Sequence, residues 1–142
     1  MLRIELRAAK IPWIGTIAYH YWFVVIQDDR QDRWEVWQNK IIKSYHPRHL
    51  NWGHLHYNLM DPPAGVGNGG SWVAHQWQGA DGIGLAQLIE ATPQIYPYAD
   101  RYLLWPGPNS NTYVQWILNQ ASLKADLQPF QLCWRGWGKD FI

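Results

Sequence analysis

A single cysteine, Cys133, stands in a chain of 142 residues. That excludes an internal disulfide and a thiolate zinc cluster, and it suits a reducing compartment. Charge is sparse as well, at 16% of residues with a net charge of +1, so there is no electrostatic case for nucleic acid or an anionic membrane surface as a partner. No apolar run approaches the ~18 residues of a membrane span. The opening stretch MLRIELRAAKIPWIG carries Arg3, Glu5, Arg7 and Lys10, which interrupt the apolar core that a secretion signal needs. A cytoplasmic location is therefore expected. The chain has no internal repeat and no linker, and its length suits a single domain over residues 1–142. The Gly-rich loop from Asp61 to Gly70 is not a GxGxxG turn leading into a helix, so it marks no phosphate site and no cofactor is expected.

Aromatic residues are plentiful by contrast. The chain has eleven tryptophans, spread along its whole length, and this spacing suits core filling more than one aromatic groove. The run IGTIAYHYWFVVIQ, Ile14 to Gln27, is rich in β-branched and aromatic residues and predicts a strand. Both of its faces are apolar, which places it centrally in a sheet. His20 is its one ionisable group, with Trp22 on the same face. A polar turn over Asp28–Arg33 and a return strand from Trp34 to Gln38 complete a hairpin that brings Glu35 toward His20. Further strands are expected at His54–Leu59, Trp72–Gln78, Tyr102–Trp105 and Leu132–Trp134. One helix is expected from an Asp81 cap to about Thr92, stopped or kinked by Pro93. A second opens at Asn111, with Val114, Ile117, Leu118 and Ala121 on its apolar face and Gln115, Asn119 and Gln120 opposite.

Chemistry concentrates at Asn109-Ser110-Asn111. Ser and Asn are strong helix N-caps, and capping alone would explain the triplet. The rigid Pro106-Gly107-Pro108 approach and the strand-borne His20 suggest more. A nucleophile at a helix start facing a histidine is a recurrent catalytic geometry. In that reading Ser110 attacks, His20 is the base and Glu35 orients it. Asn109 or Asn111 supports the oxyanion, and Trp22 is a substrate-binding candidate. His54 and His56 share a face if their segment is a strand. The His46, His49, His54 and His56 spacing matches no standard metal motif, so no metal is expected and a polar strand edge is the simpler reading. His75 reads as a buried, hydrogen-bonded side chain, and Cys133, in an apolar setting, as buried and inert.

The strings Tyr96-Pro97-Tyr98-Ala99-Asp100-Arg101-Tyr102 and Trp105-Pro106-Gly107-Pro108-Asn109-Ser110-Asn111-Thr112-Tyr113-Val114 resemble a bacterial family catalogued as domain of unknown function 3750. Ala18-Tyr19-His20-Tyr21-Trp22-Phe23 and Gly138-Lys139-Asp140-Phe141 resemble it too, while Lys40 to Trp72 lies outside the likeness. That family has no established activity. More distantly, an early-strand histidine followed by a nucleophile string opening a helix resembles the permuted papain-like hydrolases, such as lecithin retinol acyltransferase-type and desumoylating-peptidase-type domains. The resemblance implies a nucleophile at Ser110, a base at His20 and an orienting residue at Glu35. Serine stands where those families carry cysteine, and a hydroxyl needs more activation than a thiol.

The expectation is thus an α+β fold: an antiparallel sheet of about four to six strands with two main helices packed on it, in permuted papain-like order. Three functional readings follow. One is a hydrolase or acyltransferase acting on an amide or ester. Another is a non-catalytic module that keeps the cleft and binds a small molecule or peptide. The last is an interaction protein in which the triplet only caps a helix.

Overall fold

The computed structural model describes residues 1–12, 18–67 and 69–141. Six strands and two helices follow in order: β1 Leu2–Lys10, β2 Tyr19–Gln27, β3 Arg30–Val36, β4 Leu50–Trp52, β5 Leu55–Tyr57, β6 Trp72–Gln78, α1 Gly79–Ile95 and α2 Ser110–Lys124. The strands form one antiparallel sheet in the order β4-β5-β3-β2-β1-β6. The fold is therefore α+β, as expected, and β2 has a strand on each side.

Both helices pack on one sheet face. Ile4, Leu6, Phe23, Val25, Trp34, Val36 and Trp77 meet Leu85 and Ile89 of α1 and Tyr113, Val114, Ile117 and Leu118 of α2 in the main core. The opposite face of β2 buries Trp22, Val24 and Ile26 with Ala9, and Val66 from the long β5–β6 connection packs on them. Burial on both faces explains the nearly unbroken apolar run of β2.

Several expectations are corrected. β1 was not foreseen, although Ile4, Leu6 and Ala8 alternate with Arg3, Glu5 and Arg7 as a strand requires. The part of the expected first strand from Ile14 to Ile17 lies outside the described residues. β3 starts at Arg30, because Gln27 pairs with Arg30 across a two-residue turn at Asp28-Asp29 with Asp28 at φ 54°. β4 was not foreseen either, and β5 is shorter than His54–Leu59.

Tyr102–Trp105 and Leu132–Trp134 are not strands. Leu103 N–H donates to Pro108 O at 2.8 Å, which folds its segment back on itself. Leu132 N–H donates to the Gln115 side chain at 2.9 Å, so it is held by α2 and not by the sheet. Gln115 is accordingly buried, against the expectation of a solvent face.

α1 starts two residues before Asp81 and runs through Pro93 to Ile95. Proline cannot donate to the Ile89 carbonyl one turn back. The Thr92 hydroxyl does so instead, at 2.6 Å, and thus relieves the defect. The exposed side chain of His75 contacts the rings of Trp77 and Phe130, and Cys133 is exposed, so neither is the buried residue expected.

Candidate active site

The sheet face opposite the helices carries an unusual pair of neighbours. Arg33 and Glu35 are two apart on β3, so they share a face, and both are fully buried. Arg33 grips the Glu35 carboxylate side-on, with Nε donating to Oε2 at 2.6 Å and Nη2 to Oε1 at 2.9 Å. The same Oε1 lies 2.9 Å from His20 Nε2 on β2. Arg33 Nη1 donates to the carbonyls of Asp61 and Ala64 at 2.9 and 2.6 Å, and its guanidinium lies 4.0 Å from the Trp22 ring centroid. Every charge-bearing atom in this buried cluster is thus paired, as burial demands.

The pairing decides who is ionised. Burial would raise the Glu35 carboxyl, but the Arg33 charge and the His20 bond outweigh it and hold Glu35 down at about 2. Burial lowers His20 below its ordinary 6.5, and the Glu35 bond only partly offsets this. At neutral pH the pair is therefore a carboxylate and a neutral imidazole. A carboxylate only accepts, so His20 Nε2 carries the proton and donates it to Glu35. The Nδ1 lone pair remains, with no hydrogen-bond partner among the described residues, and its tautomer makes it a base.

α2 brings the serine to this histidine through its caps. Asn109 is the N-cap: its Oδ1 accepts from Asn111 N–H at 2.9 Å and Thr112 N–H at 3.3 Å, and its backbone N–H donates to Thr112 Oγ1, completing a capping box. The Asn111 side chain then straddles His20 on β2. Its Oδ1 accepts from Tyr21 N–H at 3.1 Å, and its Nδ2 donates to Tyr19 O at 2.7 Å and Trp137 O at 3.0 Å. The C-terminal segment closes on the same spot. Thr112 Oγ1 donates to Gly138 O at 2.7 Å, and at Gly138, with φ +95°, any Cβ would collide with the Asn109 amide. The family-specific strings around Ala18–Phe23, Trp105–Val114 and Gly138–Phe141 therefore meet at one place.

His20 and Ser110 line one cavity of about 140 Å³, together with Asn109, Asn111, Trp37 and Trp137. A larger groove of about 630 Å³ lies elsewhere, over Trp34, Trp52, Arg30 and Arg48, and includes none of the expected site residues. Among the described residues no hydrogen bond joins Ser110 to His20, and the Ser110 backbone N–H has no partner. Both asparagine amides are engaged in the fold: Asn109 Nδ2 donates to Leu104 O at 2.8 Å, and all the bonds of Asn111 are those given above. Trp22 is fully buried behind His20, stacked at 5.3 Å between ring centroids, with its indole N–H on Pro62 O. The indole that stands edge-on to His20 and also lines the cavity is Trp37.

Arg33 was missed in the sequence because it reads as part of a polar turn. The signal was there in Arg33-Trp34-Glu35, where two opposite charges share a face in an otherwise apolar strand.

The four clustered histidines have structural partners. His56 is buried, donating from Nε2 to Asn39 O at 2.8 Å and meeting His49 Nε2 with its Nδ1 at 2.9 Å. His54 Nδ1 donates to Trp37 O at 2.9 Å, and His46 Nδ1 accepts from Arg48 N–H. Burial at His56 replaces the solvent-facing edge expected there. Among the described residues no group of three or more His, Cys, Asp or Glu side chains could hold a metal ion.

Fold and site together define an α+β protein in which a helix-start serine and a carboxylate-bound histidine border a small, partly open cavity. Over residues 2–141 the chain matches the model of the family described as Protein of unknown function (DUF3750), and it belongs to that family. No curated protein and no solved structure matches it. No helix among the described residues is long and apolar enough to cross a membrane.

Proposed function

We propose that the protein is a serine-dependent hydrolase or acyltransferase that acts on an ester or amide, in a permuted papain-like arrangement. The observation that carries this reading is the buried Arg33–Glu35–His20 chain ending in a neutral imidazole on the cavity that Ser110 also lines. Ser110 Oγ attacks the carbonyl carbon while its proton passes to His20 Nδ1. Glu35, held ionised by Arg33, fixes the tautomer and steadies the imidazolium that forms. With the asparagine amides engaged, the Ser110 backbone N–H at the start of α2 is the donor for the oxyanion. Asn109 and Asn111 support it indirectly, by setting the turn and fastening it to β2. The order of elements supports the papain-like reading: the histidine strand comes early, and the nucleophile helix comes late and packs on it. The cytoplasm is the compartment proposed, on the strength of the single free cysteine.

A second reading, a binding module that keeps the cleft, is favoured by the lack of a Ser110–His20 hydrogen bond among the described residues. Such bonds often tighten only when substrate binds, which is why the catalytic reading is preferred. A fluorophosphonate probe separates the two. The enzyme forms a covalent adduct that Ser110→Ala abolishes. Absence of any adduct between pH 6 and 9 leaves the binding module.

A further inference from the structure

We infer that the substrate's acyl part is short, apolar and uncharged, of about four to six carbons. This rests on the hydrolase reading above and names the group that Ser110 would carry. The first ground is size. The cavity is partly open, with the exposed Gln38 and Leu104 in its lining, and holds about 140 Å³, close to the roughly 150 Å³ that accommodates a molecule the size of benzene. A polypeptide threaded through the site needs a trough several residues long, and a long fatty chain needs several times this volume.

The second ground is the lining. Away from His20, Ser110 and the two asparagines, the walls are mostly apolar, with Val36, Trp37, Val66 and Leu104 among them; their polar members, Gln38 and Tyr102, are uncharged, and no Asp, Glu, Lys or Arg is among the described lining residues. An acyl group bearing a carboxylate or ammonium would therefore enter without a counter-charge, at a large desolvation cost. His20, Ser110 and the asparagines supply the polar side, where a carbonyl would lie, and the mostly apolar walls are left to its tail.

The chemistry balances without any co-reactant besides water. The Ser110 Oγ–acyl bond forms as its proton moves to His20 Nδ1. That proton then passes to the leaving oxygen as the substrate's C–O bond breaks. Water, deprotonated by His20, opens the acyl-Ser110 ester and restores the hydroxyl.

The test is a series of p-nitrophenyl esters from acetate to dodecanoate, plus the half-ester of succinate, assayed with the full chain, with Ser110→Ala and with Leu104→Ala. The expected result is a kcat/KM maximum at butyrate or hexanoate, a fall of roughly 100-fold or more to dodecanoate, and a comparable loss for the succinyl ester. Ser110→Ala should be inactive on all of them. Leu104→Ala, which removes part of a wall at a half-exposed position, should move the maximum to longer chains. Ser110-dependent turnover that does not fall with chain length, or that tolerates the succinyl group, overturns the inference and leaves the hydrolase reading standing. Failure of every ester, together with failure of the fluorophosphonate adduct, overturns both.

Discussion

Glu35 ties the stability of the protein to pH, and the size of that dependence follows from its surroundings. Its pKa falls from 4.5 to about 2 on folding because Arg33 and His20 outweigh the penalty of burial. A depressed carboxylate stabilises the fold fully above the unfolded value, and the contribution is lost as pH drops through the folded one. With these two values, the linkage relation gives a loss of about 1 kcal/mol by pH 4 and about 2 kcal/mol by pH 3, approaching about 3 kcal/mol near pH 2. His20 acts in an earlier window. Its folded pKa lies below 6.5, so the unfolded chain takes up a proton first and stability begins to fall as pH drops below that value. Urea unfolding of the wild type and of Glu35→Gln, followed by tryptophan fluorescence from pH 7 to pH 3, separates the two windows. The variant should be less stable at pH 7, and its deficit should shrink by about 2 kcal/mol between pH 5 and pH 3. A deficit that stays constant across that range would refute the claim that Arg33 and His20 hold Glu35 ionised in the fold.

Two further outcomes test how the site is built. Asn111→Ala removes the acceptor and the donor that join α2 to the backbone on either side of His20, and the donor to Trp137 O, and leaves buried backbone groups unpaired. It should cost about 2–4 kcal/mol by urea unfolding, well beyond the ~1 kcal/mol of a lost cap. Thr92→Val leaves the Ile89 carbonyl without a donor opposite Pro93 and also removes a 2.9 Å contact with Tyr113 Oη. It should lower stability by about 1–3 kcal/mol while leaving fluorophosphonate labelling unchanged.

Local patterns in the sequence made much of this architecture legible. The two-sided apolar run from Ile14 to Gln27 specified a central strand, and its part from Tyr19 onward is β2, which has a strand on each side. The strand expected over Trp72–Gln78 is β6, residue for residue. Asn109-Ser110-Asn111 marked the start of α2 to within a residue, because capping is a local interaction.

What was hidden depended on partners distant in the chain. Gln115 looks solvent-facing by helical period, yet its amide satisfies Phe130 O and Leu132 N–H, groups fifteen and seventeen residues away. Pro93 looks like a stop signal until Thr92 is seen to supply the missing donor. Arg33 looks like a turn residue until its charge is matched to Glu35 inside the sheet and to the carbonyls of the loop above it. Within the site, residue types pointed to the asparagines and Trp22 as substrate-facing groups. Residue type alone does not separate the two uses of such an amide: the group that could stabilise an oxyanion can equally fasten a helix to a strand, as the Asn111 side chain does.

The central claim is that His20, as a neutral base, activates Ser110. The rate of fluorophosphonate adduct formation at Ser110 as a function of pH measures this directly, with the modified residue located by peptide mass spectrometry. The account predicts an adduct on Ser110 whose rate rises with pH through an apparent pKa below 6.5, levels off near neutrality, and is lost in His20→Ala. An adduct that forms as fast in His20→Ala as in the wild type, or no adduct on Ser110 at any pH, would contradict it.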